Sequence, residues 1–178
     1  DIRDVKQHDL RNRIGYIPQK ATLFSGTIES NLRYADENAT DSTIENALEV
    51  SQAKEFVSKM PSGIEEAISQ GGTNVSGGQK QRLSIARALV KNADIYIFDD
   101  TFSALDYHTE ALLREALNKM VKEKHSTVFI VAQRISSIMH ADKIIVLDQG
   151  KIVGNGTHAE LMKNCPVYQE IAYSQLSR

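Results

Sequence analysis

The chain has 178 residues, of which 41% are hydrophobic and 25% charged, and its formal net charge is -2 at pH 7. These values are ordinary for a globular domain with one core, and the acidic balance gives no electrostatic reason to expect nucleic acid as a partner. The single cysteine, Cys165, excludes an internal disulfide. The longest apolar runs, such as residues 144–147, fall far short of the roughly 20 residues of a membrane-spanning helix.

Short β-rich segments separated by a helical pattern indicate an α/β fold. Four segments are rich in β-branched and aromatic residues, namely residues 13–18, 95–98, 127–132 and 143–147. The last three are almost continuously apolar, which predicts strands buried on both faces of a parallel sheet. Between the second and the third, residues 108–124 repeat apolar positions at helical spacing. A strand–helix–strand unit is therefore expected.

Residues 38–92 give helical signals and no strand signal. Ser42 followed by Glu45 predicts a capping box that opens an amphipathic helix extending through Phe56. A second helix is predicted from about Gly77, since apolar residues recur after it at helical spacing. This stretch is expected to form a helical insertion in the α/β core.

The C-terminal part of the chain predicts a hairpin followed by two helices. Residues 148–151 have the composition of a tight turn that leads into a short strand, residues 152–154. Thr157 and Glu160 have capping-box spacing. The last helix is predicted over residues 166–176.

The string Asn-Val-Ser-Gly-Gly-Gln-Lys-Gln-Arg, which begins at Asn74, carries the most chemical information. Ser76 is expected to cap a helix with Gln79 at its third position, and Gly77 and Gly78 leave backbone N–H groups uncovered for a phosphate. Ser-Gly-Gly alone is more often only a glycine turn before a capped helix. The longer string resembles the signature motif of ATP-binding cassette (ABC) proteins, with valine in place of the commoner leucine.

Three further motifs resemble the same family. The apolar strand that ends in Asp99 and Asp100 resembles the Walker B motif, which implies that Asp99 holds Mg²⁺ at the carboxyl edge of the sheet. The string Ser-Ala-Leu-Asp ending at Asp106 resembles the D-loop, which contacts the partner domain near the nucleotide. The string Ile-Gly-Tyr-Ile-Pro-Gln ending at Gln19 resembles the Q-loop, whose glutamine reaches the metal and the attacking water.

The resemblance covers the chain from Gln19 to Gln133, and several motifs in the right order are far more specific than any one of them. It implies a P-loop NTPase (RecA-like) core with a mainly parallel sheet, formed by residues 1–22 and 93–178, and an inserted α-helical subdomain at residues 23–92. It also implies ATP and Mg²⁺ as cofactors and a second nucleotide-binding domain as head-to-tail partner. The location implied is the cytoplasmic face of the cell membrane.

The resemblance also implies an exporter and a missing motif. Residues 23–32 are similar to the exporter segment that meets the coupling helices of the transmembrane domain. No GxxxxGK[ST] phosphate loop occurs in the chain, and in the family this loop precedes the Q-loop. We therefore expect a processed or partial chain, beginning at Asp1 rather than Met, with exposed apolar surface in its core and with weak or no ATP binding by itself.

Two positions depart from the family's pattern. Active members carry a glutamate after the Walker B aspartate, whereas Asp100 is one methylene shorter, and loss of a general base typically costs about 10²–10⁴-fold in rate. The switch histidine is replaced by Gln133, which can hydrogen-bond a γ-phosphate but cannot carry charge. These departures suggest the degenerate-site half of a heterodimeric exporter, in which the signature around Ser76 completes the active site of the partner.

Two other function classes remain open. A regulatory module would bind ATP persistently and hydrolyse little of it. ABC-type ATPases of DNA repair and chromosome maintenance insert a long coiled coil between Q-loop and signature, and no sustained heptads occur here. The 5 histidines show no ligand spacing with cysteine or carboxylates, so no metal other than Mg²⁺ is expected.

Overall fold

The computed structural model describes residues 1–176, which divide into two compact units, Asp1–Val131 and the segment from Ala132 onward. Within these residues, no helix combines the length and the apolar run needed to cross a bilayer.

The first unit alternates short strands with helices. Its elements in chain order are α1 (Gln7–Asn12), β1 (Ile14–Ile17), β2 (Gly26–Thr27), α2 (Ile28–Arg33), α3 (Asp41–Val50), α4 (Lys54–Ser58), β3 (Ala67–Ile68), α5 (Gly77–Val90), β4 (Ile95–Asp99), α6 (Tyr107–Lys124) and β5 (Thr127–Val131). The helices α1 and α2 were not predicted, because six residues give too few turns for a clear period.

The strands β1, β4 and β5 form a parallel sheet in the order β1–β4–β5. In the register, Ile95 lies opposite Ile14 on one side and Thr127 on the other. Since β4 and β5 are joined by α6, the predicted strand–helix–strand unit and the parallel α/β sheet are confirmed.

Only one face of this sheet is buried. On that face Ile17 and Phe98 are fully buried. On the other face Tyr16 and Phe129 are each 53% exposed and Val131 is 55% exposed. The prediction that the strands are buried on both faces is therefore wrong for β5, whereas the expected apolar exposure is confirmed. Apolar content alone cannot tell a covered strand face from an uncovered one.

The residue that caps α3 differs from the prediction. The side chain of Thr40, rather than that of Ser42, caps the helix, because Thr40 Oγ1 accepts the N–H of Thr43 at 3.2 Å. The Glu45 carboxylate forms an ion pair with Lys54 Nζ at 2.8 Å and does not close a capping box. The alternatives differ by only two residues, and Thr is nearly as good a cap as Ser.

Two further predictions in this region are wrong. The helix expected to extend through Phe56 is divided into α3 and α4 at Gln52, whose φ of 60° cannot continue a right-handed helix. Residues 38–92 also contain a strand, since β3 pairs antiparallel with β2. Two residues are too few to show the alternation by which a strand is recognised.

The second unit contains α7 (Ile135–Ile138), β6 (Ile144–Asp148), β7 (Lys151–Gly156), α8 (His158–Asn164) and α9 (Pro166–Leu176). The predicted hairpin is confirmed: β6 pairs antiparallel with β7, and the turn holds Gln149 and Gly150 at φ 46° and 77°. The prediction that residues 143–147 belong to the parallel sheet is wrong, because among the described residues β6 pairs only with β7. The predicted capping box of Thr157 and Glu160 is confirmed at the start of α8.

Candidate functional site

The signature string opens α5 as predicted. Ser76 Oγ accepts the N–H of Gln79 at 3.2 Å, and Gln79 Oε1 accepts the N–H of Ser76 at 2.9 Å. A side chain at Gly77 would meet nothing within 4 Å, and one at Gly78 would come no nearer than 3.9 Å to the carbonyl oxygen of Ala104. The first turn of α5 is therefore capped by its own side chains and open on its outer side, as a phosphate approach requires.

Asp99 is the last residue of β4. Tyr16 Oη, from the neighbouring strand β1, donates a hydrogen bond to Asp99 Oδ2 at 2.9 Å. This bond to the carboxylate, followed by burial, raises the pKa of the Tyr16 phenol. The tyrosine therefore stays a donor at neutral pH and holds the carboxylate that is predicted to bind Mg²⁺.

Asp100, the first residue after β4, has a different backbone conformation. Its φ of 45° and ψ of 30° lie in the left-handed region, and it is 8% exposed. Its N–H still donates to the carbonyl oxygen of Val131 at 2.9 Å, and its carbonyl oxygen accepts Ser103 Oγ at 2.7 Å. This turn is fixed by hydrogen bonds on both sides. Because of it, the carboxylates of Asp99 and Asp100 point in different directions.

Gln19 and Asp100 are brought together by the sheet. Gln19 Nε2 donates to Asp100 Oδ2 at 3.3 Å, although 81 positions separate them in sequence. The contact arises because the carboxyl ends of the parallel strands β1 and β4 meet at one edge. The amide group directs its nitrogen to Asp100, and its other end, Oε1, is a neutral oxygen of the type that Mg²⁺ accepts.

The predicted metal ligands, Asp99 and Gln19, have the donor chemistry of a magnesium site, and their binding of Mg²⁺ stays a prediction. In the part of the chain that the structure describes, no three His, Cys, Asp or Glu side chains are grouped to hold a metal. Asp99 and Gln19 offer two oxygen donors near one sheet edge. Mg²⁺ is commonly held by one or two protein oxygens together with phosphate oxygens and water, so this pair fits an ion that arrives with a nucleotide.

Asp106 is placed at the start of α6. Its carboxylate accepts the N–H of Thr109 at 2.9 Å and the hydroxyl of the same residue at 2.7 Å. These hydrogen bonds lower the pKa of Asp106, and the bond from the backbone N–H of Thr109 has the largest effect. Its contact with a partner domain remains a prediction, while its role as helix cap was not predicted.

Gln133 belongs to the second unit, in the connection that precedes α7. Its carbonyl oxygen accepts a hydrogen bond from Gln175 Nε2, on α9, at 2.8 Å. No sequence pattern marks Gln175 as a functional residue. A glutamine in a terminal helix is ordinary surface composition until its partner is known.

Two other residues near the predicted site were missed. Tyr16 was part of the Q-loop string but was given no role, because the period of two along a strand gives the face of a side chain and not the register of β1 against β4. Thr101 Oγ1 donates to the carbonyl oxygen of Ile17 at 3.3 Å. This bond ties the segment after β4 to the end of β1.

An aromatic and cationic group is centred on Phe24, which lies in the segment predicted to meet the transmembrane domain, residues 23–32. The rings of Phe24 and Tyr34 are 4.6 Å apart, and the Arg87 guanidinium lies 5.1 Å from the ring centroid of Phe24. Arg87 also donates to the carbonyl oxygen of Thr22 at 2.7 Å. Both aromatic side chains are exposed, so the two rings and the guanidinium form a mixed aromatic and cationic surface, a composition suited to a protein contact.

The motifs and the fold agree with comparisons to known proteins. Residues 1–103 match the family model described as ABC transporter. The chain is 46% identical over 178 residues to an uncharacterized ABC transporter ATP-binding protein of Mycobacterium bovis, covering 98% of this chain and 30% of the relative. It is 41% identical over 169 residues to an ATP-dependent lipid A-core flippase of Desulfotalea psychrophila, covering 95% of this chain and 29% of the relative.

A solved structure shows the same fold. The match is to a bacterial Atm1-family ABC exporter with ATP bound, with a TM-score of 0.91, 35% identity, and coverage of 96% of this chain and 30% of that one. The chain thus spans less than a third of the length of these relatives.

Proposed function

We propose that this chain, which belongs to the ABC transporter family, acts as part of the ATP-binding and ATP-hydrolysing subunit of a membrane exporter. ATP and Mg²⁺ are its cofactors in this proposal. Its partners are a second nucleotide-binding domain, arranged head to tail, and the coupling helices of a transmembrane domain. It works at the cytoplasmic face of the membrane.

The observation that carries the proposal is the contact between Gln19 and Asp100 at the carboxyl edge of the parallel sheet. This contact joins the Q-loop and Walker B strings beside Asp99, at the edge where α/β folds bind their ligands. The capped and open first turn of α5 at Ser76 adds a phosphate-binding element of the kind that the signature supplies. Since no GxxxxGK[ST] loop occurs in residues 1–178, these residues alone are proposed to bind ATP weakly and to be inactive.

The finer proposal is that the Walker B side of this chain is degenerate. A base must reach the proton that it removes, and Asp100 has a short side chain that already accepts a hydrogen bond from Gln19. Gln133 stands at the switch position and cannot carry the positive charge of a histidine. The signature around Ser76 is intact and would complete the active site of a heterologous partner.

A regulatory module is the second candidate. In it, the degenerate site would hold ATP without turnover and thereby stabilise the dimer. The burial of Asp100, together with its bond to Gln19, favours this role over hydrolysis at the same site.

The test restores both departures in the assembled transporter that contains this chain. The variant with Asp100→Glu and Gln133→His is expected to hydrolyse Mg-ATP at least severalfold faster than the parent, because it regains a longer base and a switch residue that can carry charge. Turnover is measured as phosphate release at saturating ATP. Asp94→Glu is the matched control, since this exposed aspartate precedes β4 and pairs with Arg13. Fast turnover by the parent as a homodimer would contradict the degenerate site.

A further inference from the structure

We propose that Gln175 is a positioning residue for the switch loop, residues 132–134, which carries Gln133. The inference rests on the proposed function, because it concerns how the residue at the switch position is held. Gln175 makes two hydrogen bonds with one side-chain amide. Its Nε2 donates to the carbonyl oxygen of Gln133 at 2.8 Å, and its Oε1 accepts the N–H of Ile135 at 2.9 Å.

Gln175 contacts the switch loop at the point where the chain enters α7. The loop joins β5 to α7 and forms no regular structure itself. Arg134 stands at the N-cap position of α7 and makes no side-chain cap hydrogen bond, since a guanidinium has no acceptor. The first N–H groups of a helix have no partner within it. Gln175 supplies an acceptor for one of these groups, the N–H of Ile135.

A primary amide suits this task better than other side chains. Arg134 is extended, with φ −94° and ψ 125°, and in extended chain the carbonyl before a residue and the N–H after it point to the same side. One amide offers a donor and an acceptor to this pair, as a neighbouring parallel strand would. A carboxylate would only accept, and an aliphatic side chain would do neither. Gln175 therefore fixes the backbone on both sides of Arg134.

Holding the loop has a consequence for nucleotide binding. The amide side chain of Gln133, at the switch position, can hydrogen-bond a γ-phosphate, and the strength of that bond depends on the loop being ordered before ATP arrives. A loop that is already fixed loses less conformational entropy on binding. Loss of the Gln175 amide should weaken the hold on ATP and leave ADP, which has no γ-phosphate, unaffected.

The experiment measures the release rates of labelled Mg-ATP and Mg-ADP from the assembled transporter that contains this chain. Gln175→Ala is expected to release Mg-ATP about three- to tenfold faster than the parent, because the loss of one hydrogen bond of ordinary net strength changes a rate by about this factor. It is expected to release Mg-ADP at the parent rate. Gln175→Glu keeps the acceptor for Ile135 and loses the donor to Gln133, and it is expected to accelerate Mg-ATP release as well.

Gln169→Ala is the matched control. Gln169 lies on the same helix, and its Nε2 donates to the carbonyl oxygen of Met162 at 2.9 Å, so the variant removes an equivalent bond elsewhere. It is expected to behave as the parent. An equal acceleration of Mg-ATP and Mg-ADP release by Gln175→Ala, or no more acceleration than in the control, would overturn the proposal.

Gln133→Ala separates this inference from the proposed function. If it accelerates Mg-ATP release, Gln175→Ala should add nothing further in its background, because both act through one side chain; additive effects would overturn the positioning role. If Gln133→Ala leaves Mg-ATP release unchanged, the switch role of Gln133 is wrong. In that case amide hydrogen exchange at Ile135 decides whether Gln175 holds the loop. If the Ile135 amide exchanges no faster in Gln175→Ala than in Gln169→Ala, the positioning role is refuted.

Discussion

Two adjacent aspartates at the end of β4 have different surroundings. Asp99 continues the strand and accepts the phenol of Tyr16, whereas Asp100 turns into the left-handed region and accepts the amide of Gln19. Aspartate adopts this conformation more readily than bulkier residues. Placing a glutamate at position 100 therefore has a backbone cost, which stability measurements on the Asp100→Glu variant would report separately from turnover.

Ser76 is a helix cap and a proposed phosphate contact in one residue. Ser76→Ala is expected to lower the free energy of unfolding by about 1 kcal/mol, the usual cost of a lost cap, and to lower ATP turnover at the partner's site. Denaturant unfolding and phosphate release measure the two effects.

Thr157→Ala is the control for Ser76, because Thr157 opens α8 with the same type of capping box. It should cost similar stability and leave turnover unchanged. If both variants lost turnover equally, Ser76 would act only as a helix cap and not as a phosphate contact.

At the scale of elements, some helix starts could be predicted from the sequence and others could not. The capping boxes at Ser76 and Thr157 were identified from spacing, since cap and third position are fixed by local geometry. The start of α3 was misplaced because Ser42 and Thr40 are both good caps. The break at Gln52 was missed, since residues other than glycine seldom adopt positive φ and leave no pattern when they do.

The cap of α6 is expected to make stability depend on pH. The folded-state pKa of Asp106 is lowered by its hydrogen bonds to Thr109, from an ordinary value of 3.8. Its contribution is therefore present above the unfolded pKa and lost as pH falls through the folded one. Asp106→Asn keeps a neutral cap, so parent and variant should differ at neutral pH and converge in acid. Thermal unfolding between about pH 2 and pH 7 measures the difference, and a constant difference would contradict the assignment.

At the scale of the whole molecule, the parallel sheet has a covered and an uncovered face. Residues of the same type therefore differ in their effect on stability. Phe98 is fully buried on one face, and Phe129, on the adjacent strand, is 53% exposed on the other.

Phe98→Ala is expected to cost about 3–5 kcal/mol, whereas Phe129→Ala should cost less than about 1 kcal/mol in the 178-residue chain. Urea unfolding of the two variants measures both values. Similar losses would mean that Phe129 is covered in solution.

The sequence by itself determined the family, the α/β class, the chain order of the motifs and the starts of α5, α6, α8 and α9, because these depend on residue identity and local spacing. It could not determine which sheet face is covered, since apolar strands look alike whether one or both faces are packed. Nor could it show that β6 pairs antiparallel with β7 alone among the described strands, or that Tyr16 holds Asp99. The contact of Gln175 with the switch loop also required the tertiary structure, because a side chain that binds backbone 40 positions away leaves no periodic signal.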